Sequence, residues 1–166
     1  MHRVREYTPR HMSLLQRLIG AALRPRVKSK ARGKTLEQLA DELAASRDYL
    51  MPRVMAARDT PGNREAINHW LGIERWSLDN ALSWEHPNEP QSYRRFRLPE
   101  GASLAELQRA FAAAREETIA AARRLARADV NPAAVVVHKD LGPLSVTEWF
   151  QYIDDHSRRE VVRLRR

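Results

Sequence analysis

At 166 residues the chain is long enough to bury one core without covalent staples, and with no cysteine it has neither disulfides nor thiolate metal sites. No apolar run reaches the roughly 20 residues that span a bilayer, so a soluble, cytoplasmic chain is expected. The net charge of +8 is concentrated: residues 1–35 hold ten Lys/Arg against one acid, Glu6, while the remainder lies within one charge of neutral.

The first 34 residues read as a basic N-terminal arm. Its densest part, residues 24–34, has six basic side chains and no acid. Such a run is either simply solvated or contacts phosphate backbones or anionic headgroups through screened attraction. A short apolar stretch, residues 12–23, predicts one outer helix within the arm. The Arg-rich start is faintly similar to an organelle transit peptide, and Arg17 interrupts any secretory core.

From residue 35 onward four segments carry helical periodicity, and no strand-like alternation competes, so an all-α fold with no sheet is expected. Thr35 is the expected cap of the first, whose stripe is Leu36, Leu39, Leu43, Leu50 and Val54; Pro52 should kink it or end it early. The second spans residues 62–82, with Asn63 as the expected cap and Ala66, His69, Ile73 and Trp76 on one stripe. A capping box of Ser103 and Glu106 opens the third, residues 103–129, which repeats Leu104, Leu107, Phe111, Ala114, Thr118 and Leu125. The fourth starts at Ser145, boxed with Glu148, and runs to the carboxyl terminus with Trp149, Ile153, His156, Glu160 and Leu164 inward. About twenty residues link the second segment to the third, enough to cross a bundle's full height. A four-helix bundle in up-down-down-up order over residues 35–166 is therefore predicted.

The chemistry-bearing residues lie on two of these stripes. His156 and Glu160 are an i, i+4 pair, and His69 on another helix would complete a facial set of three ligands with open positions for water or substrate. The alternative is structural: His156 hydrogen-bonded to Glu160 or Tyr152, and His69 a satisfied core residue. An ion bound there would be zinc, nickel or iron. His138 and His86 fall in loops, His2 and His11 in the arm. Trp70, Trp76, Trp84 and Trp149 read as packing residues, with some of the first three available to a two-fold interface in a homodimer.

Two stretches resemble a known family. Glu65-Ala66-Ile67-Asn68-His69-Trp70-Leu71-Gly72-Ile73-Glu74-Arg75-Trp76 is similar to the second-helix signature of the DinB/YfiT-like family, a histidine ligand followed five residues later by an acid. Leu141-Gly142-Pro143-Leu144-Ser145-Val146-Thr147-Glu148-Trp149, followed by His156, resembles that family's lead-in to its fourth helix, its tryptophan, and the first histidine of a His-x-x-x-His pair. Glu160 stands where the second histidine is expected, a harder ligand of lower charge. The resemblance covers roughly residues 36–166 and leaves the basic arm unexplained.

The resemblance implies a divalent metal on His69, His156 and Glu160, and a metal-dependent hydrolase or a transferase or isomerase using a low-molecular-weight thiol. Tyr152, one turn before His156, would face the same space and donate a proton or hydrogen bond, and Glu74 would orient the site or lie in an interface. The rival reading is a non-catalytic helical binding module with a degenerate metal site, whose basic arm contacts anionic partners. Sequence-specific nucleic-acid reading is not expected of a neutral body without a groove-reading motif.

Overall fold

The computed structural model describes residues 14–85, 92–128, 130–131 and 134–165. His2, His11 and His86 lie outside the described residues. The fold is dominated by helices: α1 (Leu14–Ala31), α2 (Leu36–Met55), α3 (Pro61–Leu82), α4 (Leu104–Ala126) and α5 (Val146–Glu160), with single 3-10 turns at Tyr93–Phe96 and Val161–Arg163. None of the described helices is long and apolar enough to cross a membrane.

Local chemistry sets most boundaries. Thr35, Ser103 and Ser145 each cap a helix, and Gln38, Glu106 and Glu148 return the reciprocal hydrogen bond of the box. Three expectations are corrected. Pro52 does not end α2 early: it lies inside the helix, in its last turn, and the helix runs on to Met55. Thr60, not Asn63, caps α3, with Pro61 in the first turn. Asn63 is instead buried, where it donates to the carbonyls of Arg58 and Arg165 and accepts from Arg165 N–H, pinning the end of the chain to the α2–α3 connection. The last helix also stops at Glu160 and tightens into a 3-10 turn before the terminus.

A hairpin corrects the expectation of no sheet. Strands β1 (Val135–His138) and β2 (Gly142–Ser145) pair antiparallel, Val135 opposite Ser145 and His138 opposite Gly142. Three consecutive valines favour extended backbone, and Val136, His138 and Leu144 turn inward against α5. Residues 24–31, read as part of a solvated arm, are likewise helical. They belong to α1, which packs on α5 with Val27 and Ala31 buried.

α2 packs against α4 and α5, and α3 packs against the same two helices. The core between them falls into two apolar clusters. One gathers Leu39, Leu43, Trp76, Ala121, Trp149, Phe150 and Ile153; the other gathers Leu50, Val54, Ile67, Trp70, Leu107 and Phe111. On all four helices, buried polar residues come between the two: Ser46, Glu74, Arg115 and Ser157. Trp70 and Trp76 are 1% and 2% exposed inside their own chain, so neither can supply a two-fold interface; Trp84 is half-buried against the first cluster.

The connection from α3 to α4 folds back along α3. Asn68 clamps Leu98 through both backbone groups, at 3.0 and 2.9 Å. Gly72 permits the approach: a Cβ there would stand 2.6 Å from Arg97 Cγ and 3.0 Å from the Tyr93 carbonyl oxygen.

Candidate functional site

His69 projects from α3 and His156 from α5, and their ring centres stand 5.4 Å apart. At roughly 2 Å per metal–nitrogen bond, two imidazoles sharing one tetrahedral ion have ring centres about 5 Å apart. Tyr93, brought in by the folded-back connection, meets His69 edge-on at 5.0 Å. Tyr152 lies on α5 with its ring 5.9 Å from that of His156. His138, at the end of β1, completes the cluster: its ring is 4.6 Å from Tyr152 and 5.0 Å from both Trp76 and Trp149.

Burial decides the protonation of these groups. It pushes His156 down to about 3, with His69 adding repulsion, and His138 down to about 3, with Lys139 adding to it. His69 is half-buried and is lowered by desolvation, an effect the Glu160 carboxylate opposes. All three imidazoles are therefore neutral at pH 7, the form that carries a lone pair for a ligand or a hydrogen bond. Burial raises the Tyr152 phenol, so it keeps its proton and serves as a hydrogen-bond donor rather than as a base.

His138 and His156 differ in which lone pair is committed. His138 Nδ1 accepts from the N–H groups of Asp140 and Leu141, at 3.0 and 3.1 Å, so the proton of the neutral ring sits on Nε2. Nε2–H is buried and meets no acceptor. His138 is thus a donor facing the cluster and not a ligand. His156 Nδ1 is also buried without a partner, and no hydrogen bond among the described residues fixes its tautomer.

The residues expected from the sequence are brought together only in part. His69, His156 and Tyr152 converge. Glu160 is close enough to act on His69, but its Oε2 accepts from Arg163 Nη1 at 2.6 Å. Among the described residues no group of three or more His, Asp or Glu side chains is arranged to hold a metal ion. The two imidazoles fit a shared ion, in spacing and in protonation; Glu160 would have to exchange Arg163 for that ion to become the third ligand.

Glu74 has a different place from the one expected. It is neither an interface group nor a partner of His69, but accepts from Arg115 Nη2 at 2.9 Å in the interior, where both residues are 1% exposed or less. The same Nη2 donates to Ser157 Oγ at 2.8 Å, and Asp154 receives Arg158 at 2.7 Å nearby. Burial pushes the Glu74 carboxyl up, and the Arg115 guanidinium opposes it. Sequence reasoning missed Arg115 and His138 as interior groups. The one available signal was Arg115 lying next to Ala114 on the apolar stripe of α4.

Compared with known proteins, the chain matches no family model, no curated protein and no solved structure.

Proposed function

We propose that the chain is a DinB-like four-helix bundle, in up-down-down-up order, that binds one divalent ion of the zinc, nickel or iron type through His69 and His156 and uses it on a small-molecule substrate. The observation that carries this reading is the pair of neutral imidazoles from two helices with ring centres 5.4 Å apart. A divalent ion there supplies Lewis acidity, which lowers the pKa of a water or thiol that reaches it, and so suits a hydrolase or a thiol-dependent transferase. His69 and His156 hold the ion, and Glu160 joins them once released from Arg163. Tyr152 keeps its phenol proton and orients an acceptor oxygen of the substrate. His138 Nε2–H, on a ring 4.6 Å from that of Tyr152, offers a second donor. Trp76 and Trp149 exclude water behind them.

A second reading has its own observation, the Glu160–Arg163 ion pair. If that pair persists, the centre is a buried histidine cluster in a non-catalytic helical module. Elemental analysis of protein purified without chelator separates the two. The metal reading expects close to one zinc, nickel or iron per chain, lost in His156→Ala and retained in Glu160→His. Ion-free protein that takes up neither zinc nor nickel at neutral pH leaves only the second reading.

A further inference from the structure

The basic run of residues 24–34 has no part in the histidine cluster, yet the fold gives it a definite place. α1 ends at Ala31, and Gly33, with a φ of +75°, turns the chain so that Lys34 N–H reaches back to the Ala31 carbonyl. This turn forms one wall of a cavity of about 510 Å3, whose other wall is the start of α5. None of the described histidines lines it. The volume is within the range of small-molecule sites.

Three cationic side chains line this cavity, Lys28, Arg32 and Lys34, against one carboxylate, Glu148. That carboxylate is occupied, since its Oε2 accepts from Ser145 N–H at 2.9 Å. Its Oε1 lies 3.9 Å from the Lys28 ammonium, beyond hydrogen-bond reach, so the Lys28 donors are not consumed there. Lys34 is held at the wall by Glu42 Oε2 at 2.6 Å and Gln151 Oε1 at 2.9 Å, which uses two of its three N–H donors. Arg32 is exposed and makes no ion pair among the described residues. The Ser145 and Thr147 hydroxyls lie 3.0 Å apart and share one hydrogen. Two hydroxyls bring two protons, so one is left for a ligand.

We propose that this cavity binds the phosphate or diphosphate group of a small molecule, with Lys28 and Arg32 as its principal cations and Lys34 and the Ser145–Thr147 hydroxyl pair as further donors. Lys28 and Arg32 are one helical turn apart on the same face, and a guanidinium matches two phosphate oxygens at once. The site is separate from the metal centre and does not depend on it.

The test is calorimetric titration of the full chain, dialysed free of metal, with inorganic pyrophosphate, beside a sedimentation assay with vesicles of phosphatidylcholine containing phosphatidylglycerol. Pyrophosphate is expected to bind with a Kd below about 1 mM and to weaken as salt rises. The double variant Lys28→Gln, Arg32→Gln should lose at least about tenfold in affinity, because two charge-assisted contacts are removed. Arg109→Gln, an exposed arginine on α4, and His156→Ala should bind as the wild type does. Circular dichroism confirms that each variant is folded. Binding confined to vesicles, and lost in the double variant, would keep the phosphate site and assign it to a lipid headgroup. Binding to neither probe, or binding undiminished in the double variant, overturns the proposal.

Discussion

Glu74 and Arg115 form an ion pair in the interior, whereas His69, His138 and His156 are neutral, and His138 Nε2 and His156 Nδ1 are buried without partners. Both groups draw on α3 and α5, within a few residues of one another. Within the ionic group Arg115 holds Glu74 and Ser157, and Arg158 holds Asp154, while Glu74 Oε1, Arg115 Nε and Nη1 and Asp154 Oδ1 are buried without hydrogen-bond partners and are balanced by charge alone. The histidine group holds uncommitted nitrogens that carry no charge. Opposite charges packed together specify how helices register, whereas an uncommitted neutral imidazole is available to a ligand.

Removing one member of the ionic group should have the largest effect on stability. Arg115→Met removes the counter-charge of Glu74 in the core, a loss of about 3 to 5 kcal/mol in urea unfolding. Adding Glu74→Gln to that variant should restore part of it. A loss under about 1 kcal/mol would show that water reaches the pair and that the contrast with the histidines is one of degree. The histidine group should respond to an ion instead. At zinc concentrations a hundredfold above Kd the wild type gains about 2.7 kcal/mol, and His156→Ala gains none. Thermal melts with and without zinc read this directly, and an equal shift in both proteins breaks the assignment of His156.

How far each group was legible follows from the range of its interactions. Cap and stripe are local, so the helices starting at Leu36, Leu104 and Val146 were evident from Thr35, Ser103 and Ser145 and from the apolar spacing behind them. Inward placement of His69 and His156 came from the same periodicity. Arg115 gave little warning, because its burial depends on Glu74, 41 residues away and on another helix. The hairpin is four residues per strand, too short for alternation to show, and only the three valines hinted at it. His138 was read as a loop residue because the backbone N–H groups that fix its tautomer exist only once the turn has formed.

A neutral buried imidazole also leaves a signature in acid. His138 titrates near 3 when folded, against an ordinary value near 6.5 when unfolded. Its folded value is depressed, so its contribution is complete above about pH 6.5. As pH falls below that, the unfolded chain takes up a proton that the folded chain refuses, and stability drops by about 1.4 kcal/mol per pH unit until about pH 3. His138→Asn keeps an acceptor for the Asp140 N–H in an Asx-type turn and removes the titration. The stability profile of that variant between pH 6 and 4 should be shallower than the wild type's by about one proton. Parallel profiles would mean that the ring is protonated in the folded state.

The smallest expected effect separates the two ends of the histidine group, because it acts on a wall beside His69 and not on the packing around His138. Gly72 lets the connection lie against α3, which sets Tyr93 edge-on to His69. In Gly72→Ala the Arg97 side chain can swing away, but the Tyr93 carbonyl oxygen is backbone and its ring carbon Cδ2 is only 3.3 Å from the new methyl group, so this short segment must lift. Alanine improves the helix by about 1 kcal/mol, and the displaced contact costs about the same, so net stability should change by less than about 1 kcal/mol. The lifted ring should nonetheless move the imidazole resonances of His69 while leaving those of His138, packed between Trp76 and Trp149, in place. Carbon–proton correlation spectra of the histidine rings report both at once. Unchanged His69 resonances would mean that Tyr93 does not wall the site in solution, and movement of both rings would mean that the helix itself, rather than the connection, has shifted.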